Sequence, residues 1–177
     1  MATKTALKKY IQQLEKSPHN LWGIPFDTLN VDECLALVQV AGSCLRKVPN
    51  AKRTKKVCVA AVENYPTALS EVPERFKTTE MCQNAYSKNV GVFPYLLPEM
   101  YTLEFCIDCY ERLLSEKSIS VSLTNISSAV PKEFHQDNKV FSLERKLGIR
   151  EITSKRYEDG KFIVVENVRY EDKPLLL

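Results

Sequence analysis

The sequence predicts a mainly α-helical protein, an α-solenoid of about five units of roughly 24 residues each, extended by a C-terminal helix and a β-hairpin. Three observations predict it. Cys34, Cys58, Cys82 and Cys106 follow one another at intervals of 24 residues, a regularity that an otherwise complex sequence seldom shows. Asn30, Thr54, Thr78 and Thr102 each stand four residues before one of these cysteines, and all are residue types whose side chains accept from free amides at a helix start. Pro25, Pro49, Pro73 and Pro98 precede those caps and mark breaks between helices.

Each cap opens a helix with the same face. Aligned on the cysteine, the segments starting at Val31, Lys55, Thr79 and Leu103 carry mostly apolar residues at their third, fourth, seventh and eighth positions. That is the i, i+1, i+4, i+5 stripe of one helix face, and the cysteine lies inside it. Leu21, Leu45, Leu69 and Phe93 fall on the same grid and supply the apolar anchor of a second, shorter helical piece. A degenerate first unit begins near Ala6, with Tyr10 in the cysteine's place. No unit of this size can bury its apolar face alone, so neighbours are expected to stack around one elongated core.

After Glu111 the period fails, and the Ser-rich stretch from Ser118 to Ser128 reads as an irregular unit before Val130-Pro131 restores a break. Asn138 to Leu147, closed by Gly148, has the composition of one more helix with a glycine stop. Beyond it, Ile149 to Tyr157 and Lys161 to Tyr170 flank Glu158-Asp159-Gly160, where Asp-Gly is a favoured hairpin turn. Phe162, Val164 and Val168 are expected to lean on the last helices or on a partner, since two strands alone are marginal. The tail Pro174-Leu175-Leu176-Leu177 is expected to dock on the hairpin. The organisation expected is a helical array over residues 1–135 and a capping helix with hairpin over 136–177.

With 177 residues the chain can bury a core without disulfides or metals. Its net charge of +3 implies no strong field over the whole molecule. The N-terminus lacks the apolar core of a secretory signal, and no apolar run approaches the roughly 18 residues of a membrane span. The protein is expected to be cytoplasmic in the cell that makes it. Its six cysteines are then expected to be reduced thiols.

The break, then Lys-Thr, then an acidic-apolar-Cys helix start resembles a tandem short helical-repeat domain family of unknown function, found in giant-virus, protist and amoeba-associated bacterial proteins. The likeness covers residues 20–106 and is clearest from Val57 to Met81. Asn50-Ala51-Lys52-Arg53 departs from it where the pattern prefers an acidic start. The resemblance implies a helical array and a host-directed role, including translocation into a host, and it carries no catalytic residues.

Candidate chemistry is sparse. Cys106 and Cys109 form a Cys-x-x-Cys at a helix start, a pattern that serves redox or metal chemistry. In the repeat alignment both positions belong to the core face, and no second ligand pair is spaced to complete a zinc site. Nucleophilic catalysis would need a histidine base, and the only histidines, His19 and His135, are expected at opposite ends of the stack, where they do not readily serve one site. There is no phosphate-cradling glycine loop. No cofactor, no metal and no enzymatic activity are expected.

Arg46, Lys47, Lys52, Arg53, Lys55 and Lys56 form a basic run uninterrupted by an acidic residue. It can hold phosphates or an acidic surface, although the acidic residues of neighbouring units interrupt the stripe. Among the aromatics, Tyr65, Tyr86, Tyr95, Tyr101 and Tyr110 could line a binding face, with Tyr86 and Tyr110 assigned to the core by alignment. Trp22, beside Leu21 and Ile24, is expected to pack against or cap the stack. The function expected is a non-enzymatic protein-protein interaction module, an effector or a toxin-neutralising partner. A nucleic-acid or phosphate-binding module using residues 44–57 is the alternative, and a small cysteine-dependent enzyme the second.

Overall fold

A computed structural model describes residues 4–115, 122–149, 152–158 and 161–168, the last two ranges by their backbone. Among these residues the protein is mainly helical. It divides into two compact units, Met1–Met100 and Tyr101–Leu177. The division expected after residue 135 falls inside the second.

Four helices build the first unit: α1 (Lys4–Lys16), α2 (Val31–Val40), α3 (Lys55–Asn64) and α4 (Thr79–Lys88), each packed on the next. Alternating with them are 3-10 helices Gly42–Lys47, Pro66–Glu71 and Val90–Tyr95, which also pack in succession. Single 3-10 turns follow at Asn50–Lys52, Glu74–Phe76 and Pro98–Met100. Starting positions 31, 55 and 79, then 42, 66 and 90, then 50, 74 and 98, all advance by 24. The interval between cysteines is thus an interval between whole elements.

The local causes are the expected ones. Asn30 Oδ1 accepts from Glu33 N at 2.9 Å while the Glu33 carboxylate accepts from Asn30 N at 2.7 Å, a complete capping box. Thr54 and Thr78 accept from the amides of Val57 and Met81 at 3.3 and 3.2 Å. Each helix ends at an extended residue, Ala41, Tyr65 or Asn89, whose amide still donates to the preceding turn. Pro49 and Pro73, with no amide to donate, sit where the chain leaves one 3-10 helix and enters the next.

Burial follows the stripe. Cys34, Leu37 and Val38 in α2, Val57, Cys58, Ala61 and Val62 in α3, and Met81, Cys82, Ala85 and Tyr86 in α4 are all buried, as are Leu45, Leu69 and Phe93 of the 3-10 helices. In α1 the fully buried anchor is Leu14, while Tyr10 is half-buried. The second piece expected around Leu21 is a set of turns, not a helix.

The second unit contains α5 (Leu103–Ser115), α6 (Leu123–Ala129), a 3-10 helix Lys132–Gln136 and α7 (Asn138–Lys146). Thr102 caps α5 through Phe105 N at 3.2 Å, and Cys106, Cys109 and Tyr110 are buried as the alignment predicts. α5 packs on α7. Left-handed Gly148 (φ +71°) ends α7, with Gly148 N donating to Arg145 O and Ile149 N to Glu144 O, the paired bonds of a Schellman stop. Strands β1 (Ile152–Glu158) and β2 (Lys161–Val168) pair antiparallel, with an irregularity after Ser154. The Asp159-Gly160 turn, the side chains of Phe162, Val164 and Val168, and the tail Pro174–Leu177 lie outside the described residues.

The 3-10 helix Gly42–Lys47 meets the end of α3 closely at Gly42. A Cβ there would collide with the carbonyl oxygen of Ala61 and lie 2.7 Å from Tyr65 Cβ. Its amide donates to Asn64 Oδ1 at 2.7 Å. Gly42→Ala is expected to lower stability by about 2 kcal/mol, read as a lower urea midpoint with unchanged slope. Gly23→Ala, at φ +77° but with open space around it, is expected to lose only about 1 kcal/mol.

Candidate functional site

The thiols are core atoms. All six cysteines are free and buried, and no group of His, Cys, Asp and Glu among the described residues could hold a metal ion. Burial opposes ionisation of Cys34, Cys58 and Cys82, and pushes Cys44 up to about 12 and Cys106 to about 11. A thiolate is the nucleophile and the metal ligand, so these positions are chemically quiet.

The basic run divides into two classes. Lys52 Nζ donates to the carbonyls of Phe26 and Asp27 at 3.2 and 2.6 Å. Arg53, its side chain only 13% exposed, donates from Nε to Val48 O at 2.8 Å and from Nη1 to Glu71 O at 2.6 Å, with the Glu71 carboxylate at 3.4 Å. Both are half-buried and spend their donors on carbonyls of neighbouring elements. One period later Lys77 does the same work as Arg53, donating to Tyr95 O at 2.9 Å. Arg46, Lys47, Lys55 and Lys56 are exposed.

Concave surfaces on the first unit include the following two. Between α3 and α4 runs a groove of about 530 Å³ with Val59, Val62 and Met81 in its lining and Lys55, Glu63, Glu80 and Lys88 among its polar groups. A cleft of about 430 Å³ is lined by residues of the α1–α2 loop, Trp22 among them, together with Arg46 and Lys47. Trp22 corrects the expectation of a packed residue, because 88% of its surface is exposed. The loop turns at left-handed Gly23 so that Ile24 and Phe26 are buried and the indole is left outside. Tyr65 and Tyr95 are likewise exposed, and Tyr86 and Tyr110 buried.

The second unit holds a polar cluster that the motif reading missed. Glu144, fully buried, accepts at Oε1 from Tyr110 Oη at 2.8 Å and lies 2.7 Å from His135 Nδ1 and 3.5 Å from Ser127 Oγ. Helices α5, α6 and α7 and the 3-10 helix 132–136 thus converge on one carboxylate oxygen. Burial, then the bond to Glu144, pushes the Tyr110 phenol well above its ordinary range, so it remains a donor. The sequence signal was a glutamate inside the stripe Val140, Leu143, Leu147, where an apolar residue belongs. The geometry is that of a buried fastening.

No family model, no curated protein and no solved structure matches the chain.

In the native protein a thiol-specific disulfide reagent is expected to find almost no reactive cysteine at neutral pH, and all six on unfolding. The raised thiol values favour folding fully up to the ordinary value of 9.0, and that contribution is lost as pH rises towards about 12. Urea midpoints are therefore expected to fall progressively above pH 9. Tyr110→Phe, which leaves the buried Glu144 short of a donor, is expected to cost about 1–3 kcal/mol in the same measurement.

Proposed function

We propose that the chain is a non-enzymatic helical-repeat module that binds another protein. In this reading the 24-residue recurrence of elements is that of a short α-solenoid of about five units, with the C-terminal helix and a β-hairpin as its end piece. One observation carries it: the interior repeats while the exterior does not. At the second position of α2 to α5 stand Asp32, Lys56, Glu80 and Glu104, all exposed, two residues before cysteines that are all buried. A scaffold that holds its core constant and varies its surface charge from unit to unit suits recognition of an extended partner. The resemblance to short tandem repeats of host-associated proteins supports a role as an effector or a toxin-neutralising partner, made in the cytoplasm and acting there or in a host.

The exposed members of the basic run favour a second reading, phosphate or nucleic-acid binding. The two are separated by affinity purification of the full chain from the producing cell, with and without nuclease, alongside Lys55→Glu/Lys56→Glu. A protein that co-purifies after nuclease treatment and at raised salt is expected. Nucleic acid that co-purifies and is lost on charge reversal, its salt slope falling by about one per phosphate contact removed, would replace this reading with the second. Lys52 and Arg53 are unsuited to this test, since reversing them would break the carbonyl ties between repeats.

A further inference from the structure

Trp22 is the only tryptophan in the chain and is left almost wholly in water. A large aromatic exposed in this way usually marks a contact surface, because indoles are otherwise among the side chains most covered by folding. The loop that displays it is firmly held. Gln13 Nε2 of α1 donates to both Asn20 O and Trp22 O at 2.9 Å, and Asn20 Oδ1 accepts from Trp22 N at 3.2 Å. Ser43 Oγ, from the following 3-10 helix, donates to Pro18 O at 2.7 Å, and His19 meets the Tyr65 ring edge-on at 5.6 Å. Fixing the backbone beforehand lowers the ordering cost of binding.

The adjoining cleft has apolar lining from Ile24 and Phe26 and cationic lining from Arg46 and Lys47. Neither cation forms an ion pair with a carboxylate among the described residues, and both are exposed. An indole beside unneutralised Arg and Lys is the composition of a binding hot spot for a negatively charged partner.

We infer that Trp22, Arg46 and Lys47 form one anchor site for an acidic segment of a partner protein. A side chain of that segment enters the cleft against the indole, and its carboxylates meet the two cations. The inference rests on the protein-binding reading above and names the surface and the partner chemistry. Nucleic acid is disfavoured because Lys52 and Arg53, next along the run, are turned onto backbone carbonyls and leave no continuous cationic track. A bilayer is disfavoured because, among the described residues of this cleft, Ile24 and Phe26 beside Trp22 are buried, so the indole is not part of the broad apolar face that interfacial insertion uses.

The test is selection of displayed peptides on the full-length chain, followed by titration of labelled selected peptides by fluorescence anisotropy. The emission of Trp22 reports the site directly. A single-stranded oligonucleotide and vesicles of equimolar phosphatidylserine and phosphatidylcholine serve as rival ligands. Selected peptides are expected to be rich in Asp and Glu and to shift the tryptophan emission to the blue. Affinity is expected to fall about 30-fold in Trp22→Ala and in Arg46→Glu/Lys47→Glu, and to change little in Lys55→Glu/Lys56→Glu. Circular dichroism of the variants checks that each folds, as the exposure of all three residues predicts.

Peptides indifferent to Trp22, Arg46 and Lys47 would overturn the site while leaving a protein-binding module standing. An emission response to the oligonucleotide or vesicles alone, or no enriched peptide, would overturn it as well. Failure of the purification above to yield any protein would remove the underlying reading instead.

Discussion

Short helices have a problem at their ends. Each of α2, α3 and α4 is 10 residues long, too short to be stable alone, and each leaves carbonyl groups at its C-terminus without a partner inside the helix. For α2 and α3 a side chain of the following helix supplies such a partner. Asn64 Nδ2 donates to Gln39 O and Val40 O at 3.1 and 3.4 Å, and one period on Lys88 Nζ donates to Glu63 O at 3.0 Å. A carboxamide and an ammonium thus do the same job at equivalent places. Arg53 and Lys77 repeat this solution at the ends of the 3-10 helices. Asn64 and Lys88 thus reach back to the end of the preceding helix while Arg53 and Lys77 reach forward to the end of the next long 3-10 helix, so side-chain reach as well as the apolar stripe joins segments 24 residues apart.

That constraint explains where charge can and cannot serve recognition. A basic residue that closes a neighbour's carbonyls, such as Lys52 or Arg53, is committed to the fold. A basic residue one or two positions outside that geometry, such as Arg46 or Lys47, is available to a partner. Composition does not distinguish the two, and the same six-residue run contains both. The buried thiols follow the same logic: a cysteine on the buried face of a helix is a small apolar side chain, and the burial that suits it to packing also keeps it protonated.

The second unit solves its problem differently. Where the 24-residue interval ends, a single buried carboxylate gathers donors from α5, the end of α6 and the 3-10 helix before α7. Such a cluster specifies one arrangement of its elements, because any other would leave the carboxylate without its donors. Lys139 Nζ to Glu111 Oε1 at 2.8 Å, an exposed pair between α7 and α5, adds little by comparison.

The positions, caps and buried faces of α2 to α5 were legible in the sequence, because each depends on residues close together in the chain: Asn30, Thr54, Thr78 and Thr102 reach only to the amide three residues ahead. Helix α6, in the stretch read as irregular, was not legible. Gly148 is read the same way, as a local stop. The roles of Lys52, Arg53, Trp22 and Glu144 were not legible. A lysine's destination depends on a carbonyl 25 residues away, an indole's exposure on how a pinned loop turns, and a glutamate's partners on three other elements meeting it. What the sequence alone determined is the local and periodic part of this protein, and what only the tertiary structure decided is which polar groups are consumed in holding distant segments together and which are left facing solvent.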